Sequence, residues 1–310
     1  MKDKVLVVAG PTAAGKTEYA IALARHFGGE IVSADSMQIY RYMDIGSAKP
    51  TREEQASVPH HLIDAVDPRV PWSVAEYQQA ARAAIRQILS RGKLPLVAGG
   101  TGLYVNSIIY DMDFSATPKQ EGLRQALERQ AAEQGPESLH RRLAALDPAA
   151  AERIHPNNVK KLVRAIEVLE TGGRGIPEFQ RSFVATEEYQ CLLLGLTRNR
   201  EELYRRIDSR AELLFRAGLA KEVEGLMAMG LTEESVSMQG IGYKEMAGAL
   251  KGLYSMEEAL ELIQRRSRNY AKRQLTWFRR IPGMVWFNLS DYASGKDALS
   301  AMIHWAEEAL

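Results

Sequence analysis

Gly10, Gly15, Lys16 and Thr17 stand at the spacing G-x-x-x-x-G-K-[ST], inside the stretch GPTAAGKT (10–17). Small residues let backbone N–H groups approach an anion, the lysine adds positive charge, and the final hydroxyl suits a magnesium ion. The chemistry implied is the holding of phosphate. The flanks agree with it. VLVV (5–8) is an apolar run suited to a strand covered on both faces, and TEYAIALAR (17–25) has helical spacing. Strand, glycine turn and helix start together place an anion at a helix N-terminus, where unpaired N–H groups and the helix dipole favour negative charge.

Two further polar residues fall beside this cradle. Glu30 to Ser33 reads as a second strand, which leaves Asp35 just past its C-terminal end. Ligands of open α/β sheets sit outside those strand ends. SVAE (73–76) is a capping box that opens an alanine-rich helix running to about Arg91. LPLVA (94–98) is the next buried strand, and GGTGLY (99–104) turns into another helix, bringing Thr101 to the same rim as Asp35. A nucleoside triphosphatase places an Asp after a second apolar strand to hold its magnesium. Here LPLVA runs into Gly99-Gly100, so a triphosphate ligand has no support beyond the loop itself.

The elements that must position these residues form a parallel α/β core. From about Asp113 the alternation of strands and helices stops, and 118–170 reads as helical until YQCLLLGL (189–196). Residues 113–190 are therefore read as a helical insertion, with Gly172, Gly173, Arg174 and Gly175 marking its loop-rich end. Its helix from Val159 has an apolar stripe of Leu162, Val163, Ile166 and Leu169. Lys160, Lys161 and Arg164 project from the other side, either as a solvated face or as a phosphate-contacting one.

The last third reads as helical. In LYRRIDSR (203–210), Arg206 and Arg210 share one helix face. They are suited to clamping a diphosphate, or to surface pairing with Asp208 or Glu202. The segment 264–280 holds seven basic residues and no acid, with Arg265, Arg268, Lys272 and Arg279 as a stripe and Tyr270 and Trp277 flanking it. Basic side chains interleaved with aromatics suit a nucleic-acid backbone and unstacked bases.

Composition bounds the rest. The 310 residues carry 40 basic and 39 acidic side chains, a net charge of +1, so only local clustering can speak for a nucleic-acid partner. The single cysteine, Cys191, sits in an apolar run and permits no disulfide within the chain, as expected of a reducing compartment. The start is too short in apolar residues for a signal peptide, and no run approaches the roughly 20 residues that span a bilayer. The expectation is a soluble cytoplasmic protein. His60 and His61 are adjacent, and neighbours on a strand face opposite ways, which disfavours a shared metal.

With these residues assembled, the chain resembles the bacterial tRNA dimethylallyltransferases, which prenylate adenosine 37 of certain tRNAs. The resemblance covers essentially the whole chain. It rests on GPTAAGKT (10–17), SADSMQIY (33–40), HHLID (60–64), AGGTGLY (98–104), HPNNVKKLVRAIEV (155–168), LYRRIDSR (203–210), GIGYKE (240–245) and YAKRQLTWFRR (270–280). Ala14 stands where the family often has Ser.

The resemblance implies a P-loop NTPase-like parallel sheet core (1–112 and 191–310) with a helical C-terminal part and a helical insertion domain (113–190) that contacts tRNA. In the family the loop holds dimethylallyl diphosphate, which maps onto Gly10, Thr12, Ala13, Ala14, Gly15, Lys16 and Thr17, with Mg²⁺ on Thr17. Asp35 is implied as general base, Thr101 as the residue orienting the amine or the base, and Arg210 rather than Arg206 as the diphosphate clamp. Asp35, Ser36, Met37, Gln38 and Thr101 would contact the target adenosine. Lys160, Lys161, Arg164, Arg268 and Lys272 would grip the tRNA anticodon stem-loop. No membrane or protein partner is implied, and a monomer is expected. The rivals are a small-molecule kinase, an enzyme prenylating free AMP, and a non-catalytic RNA-binding module.

Overall fold

The computed structural model describes residues 2–112, 114, 120–171 and 184–310. In chain order the core carries β1 (Lys4–Ala9), α1 (Lys16–His26), β2 (Glu30–Ser33), α2 (Arg52–Ser57), β3 (His60–His61), α3 (Val74–Ser90), β4 (Pro95–Gly99) and α4 (Gly102–Ile109). Next come α5 (Glu121–Gln134), α6 (Pro136–Leu146), α7 (Pro148–Arg153) and α8 (Val159–Glu170). The core resumes with β5 (Gln190–Thr197), α9 (Arg200–Arg216), α10 (Leu219–Ala228), α11 (Tyr243–Leu250), α12 (Met256–Phe278), β6 (Val285–Asn288) and α13 (Gly295–Ala309).

The strands form one parallel sheet in the order β3-β2-β4-β1-β5-β6. β1 is central, with Leu6 paired to Leu96 on one side and Leu192 on the other. Its residues Val5 to Ala9 are wholly buried, which is why KVLVVA shows no alternation: helices cover both faces. One core cluster gathers Leu6, Val8, Leu23, Leu96, Leu194, Phe287 and Met302. A second gathers Ile39, Tyr40, Met43, Val223, Leu226, Tyr243, Met246 and Ile263 beside the segment that follows β2. Capping boxes at Ser73/Glu76 and Ser255/Glu258 start α3 and α12, each cap contributing about 1 kcal/mol.

The last third is not helical throughout, as the sequence had suggested. VWFN forms β6 at the sheet edge, pairing Phe287 with Leu196. Four residues flanked by long helical patterns carry too short a period to read. Among the described residues no helix is long and apolar enough to cross a membrane. Cys191 is half-buried, and burial pushes its thiol up to about 12.

The helical unit is compact in its own right and spans Tyr110–Ala185, against 113–190 read from the sequence. Its two ends meet in an antiparallel bridge between Tyr110 and Ala185, where Asp111 N donates to Val184 O at 2.8 Å. Asp113 and the Gly172–Gly173–Arg174–Gly175 stretch lie outside the described residues. Leu127, Leu139, Leu143, Leu162 and Ile166 form its core. Asp147 caps α7 by accepting from Ala150 N. Within the otherwise apolar centre, Glu167 is fully buried and accepts from Arg124 Nε and Nη2 at 2.8 Å, Arg164 Nη1 at 2.7 Å and the Gln120 amide at 2.9 Å. Burial would raise this carboxyl, but those donors hold it down at about 2.

Candidate active site

The phosphate loop leaves β1 and enters α1. Gly10 is required by close approach: a Cβ there would lie 2.3 Å from Leu196 O on β5, and its φ is +154°. Ala13 adopts a left-handed φ of 62°, uncommon for a residue with a Cβ. Three carbonyls of this strained turn are held by cationic side chains. Pro11 O accepts from Lys16 Nζ at 2.8 Å, Ala13 O from Arg206 Nε at 3.0 Å, and Ala14 O from Arg198 Nε at 3.1 Å. The amides of Ala13, Gly15, Lys16 and Thr17 have no protein acceptor among the described residues, so they stand open at the helix N-terminus as an anion cradle.

Cations surround it. Burial lowers the Lys16 ammonium to about 8, with Arg210 adding to the effect and Asp35 opposing it. Burial also lowers Arg210, again opposed by Asp35 and reinforced by Arg206. Several cations held in one desolvated place are unfavourable without an anion. Neither of the carboxylates considered as surface partners holds these arginines. Asp208 pairs with Arg268, and Glu202 pairs with Arg198.

The second rim is built from β2 and β4. Asp35 Oδ1 accepts from Met37 N at 2.9 Å and Gln38 N at 3.3 Å, fixing the turn after β2. Its other oxygen, Oδ2, has no hydrogen-bond donor among the described residues. Thr101 Oγ1 accepts from Ser36 N at 3.0 Å and donates to Ser36 Oγ at 3.3 Å, while Thr101 N donates to Ala34 O at 3.1 Å. Thr101 thus braces the Asp35 turn from behind.

Gln38 reaches the next segment, its Nε2 donating to Ser47 O at 3.4 Å and Ala48 O at 3.3 Å. That segment is fixed in turn by Glu222 of α10. Its carboxylate accepts from the successive amides of Asp44, Ile45 and Gly46 at 2.7–2.9 Å and from Tyr243 Oη at 2.9 Å.

Both rims face one cleft of about 960 Å³. Of the residues expected from the sequence, Thr12, Ala13, Gly15, Lys16, Thr17, Asp35, Ser36, Met37, Gln38 and Arg210 line it. Gly10 and Ala14 lie buried beneath, and Thr101 stands behind Ser36. Arg206, the alternative clamp weighed beside Arg210, also lines it, as do Tyr270, Arg273 and Gln274, which the sequence did not place there.

Tyr270 and Trp277, expected to flank the basic stripe of α12, lie against the β4–α4 region. The Tyr270 hydroxyl meets Gly100 O at 3.5 Å, and Trp277 packs over Gly102 and donates to Asn106 Oδ1 at 3.3 Å. Both turn inward, each pairing an apolar ring with one polar atom that meets an acceptor, Gly100 O or Asn106 Oδ1. Arg279 falls past the end of α12. Lys272 is exposed beside the Tyr204 ring. On α8 of the helical unit, Lys160 and Lys161 are exposed, and Arg164 is the one bound to Glu167.

A magnesium ion would find one protein oxygen at the loop, the Thr17 hydroxyl on the cleft wall. Among the described residues no group of three or more His, Cys, Asp or Glu could cage a metal. The donor set fits a hydrated Mg²⁺ held mainly by substrate phosphate oxygens.

Fold and cleft together define a phosphate-loop α/β enzyme, with an open amide cradle and a carboxylate on the same cleft. The family model described as IPP transferase matches residues 38–281. The tRNA dimethylallyltransferase of Alkaliphilus oremlandii is 52% identical over 294 residues, covering 95% of this chain and 94% of that one. That of Clostridioides difficile is 46% identical over 309 residues, covering 100% and 99%.

Among solved structures, the full-length tRNA isopentenylpyrophosphate transferase of Bacillus halodurans superposes with a TM-score of 0.75 at 40% identity, covering 99% of this chain and 96% of that one. A eukaryotic dimethylallyltransferase acting on tRNA superposes at 0.82 with 26% identity, covering 99% and 80%. The chain belongs to the tRNA dimethylallyltransferase (IPP transferase) family.

Proposed function

We infer that this chain transfers the dimethylallyl group of dimethylallyl diphosphate to N6 of adenosine 37 in the anticodon loop of tRNAs that read codons beginning with U. The products are N6-(dimethylallyl)adenosine and diphosphate. The observation that carries the reading is the placement of one anchored carboxylate, Asp35, on the same cleft as the open loop amides, Lys16 and Arg210.

The bond between C1 of the allyl group and the diphosphate oxygen breaks as the bond from N6 to C1 forms. Negative charge grows on the leaving diphosphate. The loop amides, Lys16, Arg210 and the outer guanidinium nitrogens of Arg206 stabilise it, and being oriented beforehand they need no reorganisation during the step. Asp35 serves as general base: Oδ1 is tied to the backbone, which aims Oδ2 to take the proton that N6 sheds. Thr101 holds the Ser36 turn in place and with it Asp35. Thr17 would hold Mg²⁺, which when bound neutralises diphosphate charge.

The target base leaves its stack to reach the cleft, at a cost of a few kcal/mol. Ser36, Met37 and Gln38 meet the base, while Lys160, Lys161 and Lys272 grip tRNA phosphates. Arg164 and Arg268, held by Glu167 and Asp208, shape the surfaces that carry those lysines. The reading is of a monomeric, cytoplasmic enzyme, in keeping with tRNA as substrate.

The test is incubation with Mg²⁺, labelled dimethylallyl diphosphate and unmodified tRNA, in parallel with AMP. Label is expected at A37. Label only in AMP would move the chain to the free-nucleotide enzymes. ATP consumption with no label transferred would overturn the diphosphate reading.

A further inference from the structure

One buried side chain in the cleft wall belongs to neither rim, yet touches both. Gln274 lies on α12, and its Oε1 accepts from Thr12 N of the phosphate loop at 2.8 Å. Its Nε2 donates to Gly100 O at 2.8 Å, next to Thr101. The two loops are 88 residues apart in sequence (100 less 12) and are joined here by one planar amide.

The surroundings are shaped to this crossing. A Cβ at Gly100 would lie 2.4 Å from Gln274 Nε2 and 3.4 Å from Lys16 Nζ, so the turn carries no side chain where the amide passes. Tyr270, Gln274 and Trp277 follow at i, i+4 and i+7, and this face of α12 presses on the β4–α4 turn through Gly100, Gly102 and Asn106. Gln274 is 5% exposed, which leaves its amide no solvent to bond instead.

The chemistry of the bridge is selective. It needs an acceptor toward the loop amide and a donor toward the carbonyl, at opposite ends of one rigid group, and a side-chain amide supplies both without charge. Among the described residues Thr12 N is the one loop amide held by a side chain, which ties the phosphate loop to α12.

We propose that Gln274 is a positioning residue that locks the diphosphate loop to the acceptor rim, setting the separation of the leaving group from the Asp35–Thr101 turn. The proposal rests on the transferase reading above. The bond being made and the bond being broken share one carbon, so a shift of about 1 Å between the two rims is felt in the rate. When the rims are out of register, water takes the place of N6. Water attacks C1, the C1–O bond to diphosphate breaks, a proton leaves to solvent, and dimethylallyl alcohol and diphosphate result.

The experiment compares the wild type with Gln274→Met and Gln274→Asn, using labelled dimethylallyl diphosphate, Mg²⁺ and unmodified tRNA. Methionine keeps the volume and loses both hydrogen bonds; asparagine keeps both groups but is one methylene too short to span the gap. Transfer to tRNA and alcohol formation are measured in the same tube. Expected is a fall in kcat of at least thirtyfold in Gln274→Met, tRNA KM within threefold, and a ratio of alcohol to prenylated tRNA raised at least tenfold. Gln274→Asn is expected to shift the ratio in the same direction.

The ratio does not depend on how much enzyme is folded. An unchanged ratio in both variants, with kcat falling only as the folded fraction falls in thermal melts, overturns the proposal and leaves Gln274 a structural residue. A tenfold rise in tRNA KM with kcat intact also overturns it, making Gln274 an RNA contact. A wild type that transfers no label overturns the transferase reading itself, which separates the two failures.

Discussion

Two helices of this chain, α8 and α12, are basic on one side and apolar on the other, yet the fold uses their charges differently. On α8 one cation, Arg164, turns to buried Glu167, while Lys160 and Lys161 remain exposed. On α12 several polar residues are engaged by neighbouring elements, while Arg265, Lys272 and Arg273 stay exposed. Arg266 pairs with Glu245, Arg268 pairs with Asp208, and Tyr270, Gln274 and Trp277 face the β4–α4 turn. A basic stretch therefore divides into cations committed within the fold and cations left for solvent, and only the second kind releases counterions when it meets a polyanion.

The largest effect should fall on the core side of this comparison. Asp35→Ala is expected to lower kcat for tRNA prenylation by roughly 10³-fold, a typical general-base contribution, with little change in donor KM. Full retention of kcat would remove Asp35 from the chemistry. Next is Lys16→Met, expected to cost roughly 10²–10³ in kcat/KM for the donor.

The wild type carries a pH signature of the same residue. Diphosphate favours the ammonium form, and burial has lowered that ammonium to about 8. Donor KM should accordingly stay flat below pH 8 and rise above it, as read from initial rates at saturating tRNA.

On the α8 side, Lys160→Ala with Lys161→Ala should raise tRNA KM about five- to tenfold and leave kcat unchanged. The slope of log KM against log salt should also drop by roughly 2. An unchanged slope would make those lysines bystanders. Glu167→Gln is expected to destabilise the helical unit by about 1–3 kcal/mol, through two arginines left with a weaker partner.

Glu167 is held at about 2, below its ordinary value, so its contribution is complete above about pH 4.5 and is lost as pH falls toward 2. Limited proteolysis of 110–185 along an acid series would show the loss, and its absence in Glu167→Gln would confirm the source. The smallest effect is that of Arg268→Ala, whose charge is already met by Asp208. A tRNA KM change under twofold is expected, and a larger one would erase the distinction drawn between the two helices.

Much of the core was legible because its signals are local. GPTAAGKT announces its turn through glycine and small residues, VLVV and LPLV announce strands buried on both faces, and Ser73/Glu76 announces a helix start. The site residues that escaped notice have no local signature. Gln274 sits in a basic helical run with no local signal of its own, and only the arrival of Thr12 and Gly100 gives it partners. Glu167 falls on a polar position of α8, and Arg124 must come from another helix before its burial makes sense. Tyr270 and Trp277 were placed by helical spacing, which reports which residues share a face but not what the face meets.

Glu222 carries one more consequence. Its carboxylate gathers three successive amides of residues 44–46, and the Tyr243 hydroxyl donates to its Oε1 while accepting from Ser47 N. Ordering backbone costs about 1–2 kcal/mol per residue in conformational entropy. Here that cost falls at folding and not at substrate binding, so neither the donor nor the tRNA has to freeze this wall on arrival. The amides of Asp44, Ile45 and Gly46 should therefore exchange with deuterated solvent as slowly in the free protein as in the substrate complex, giving an irregular segment the kinetic character of a strand.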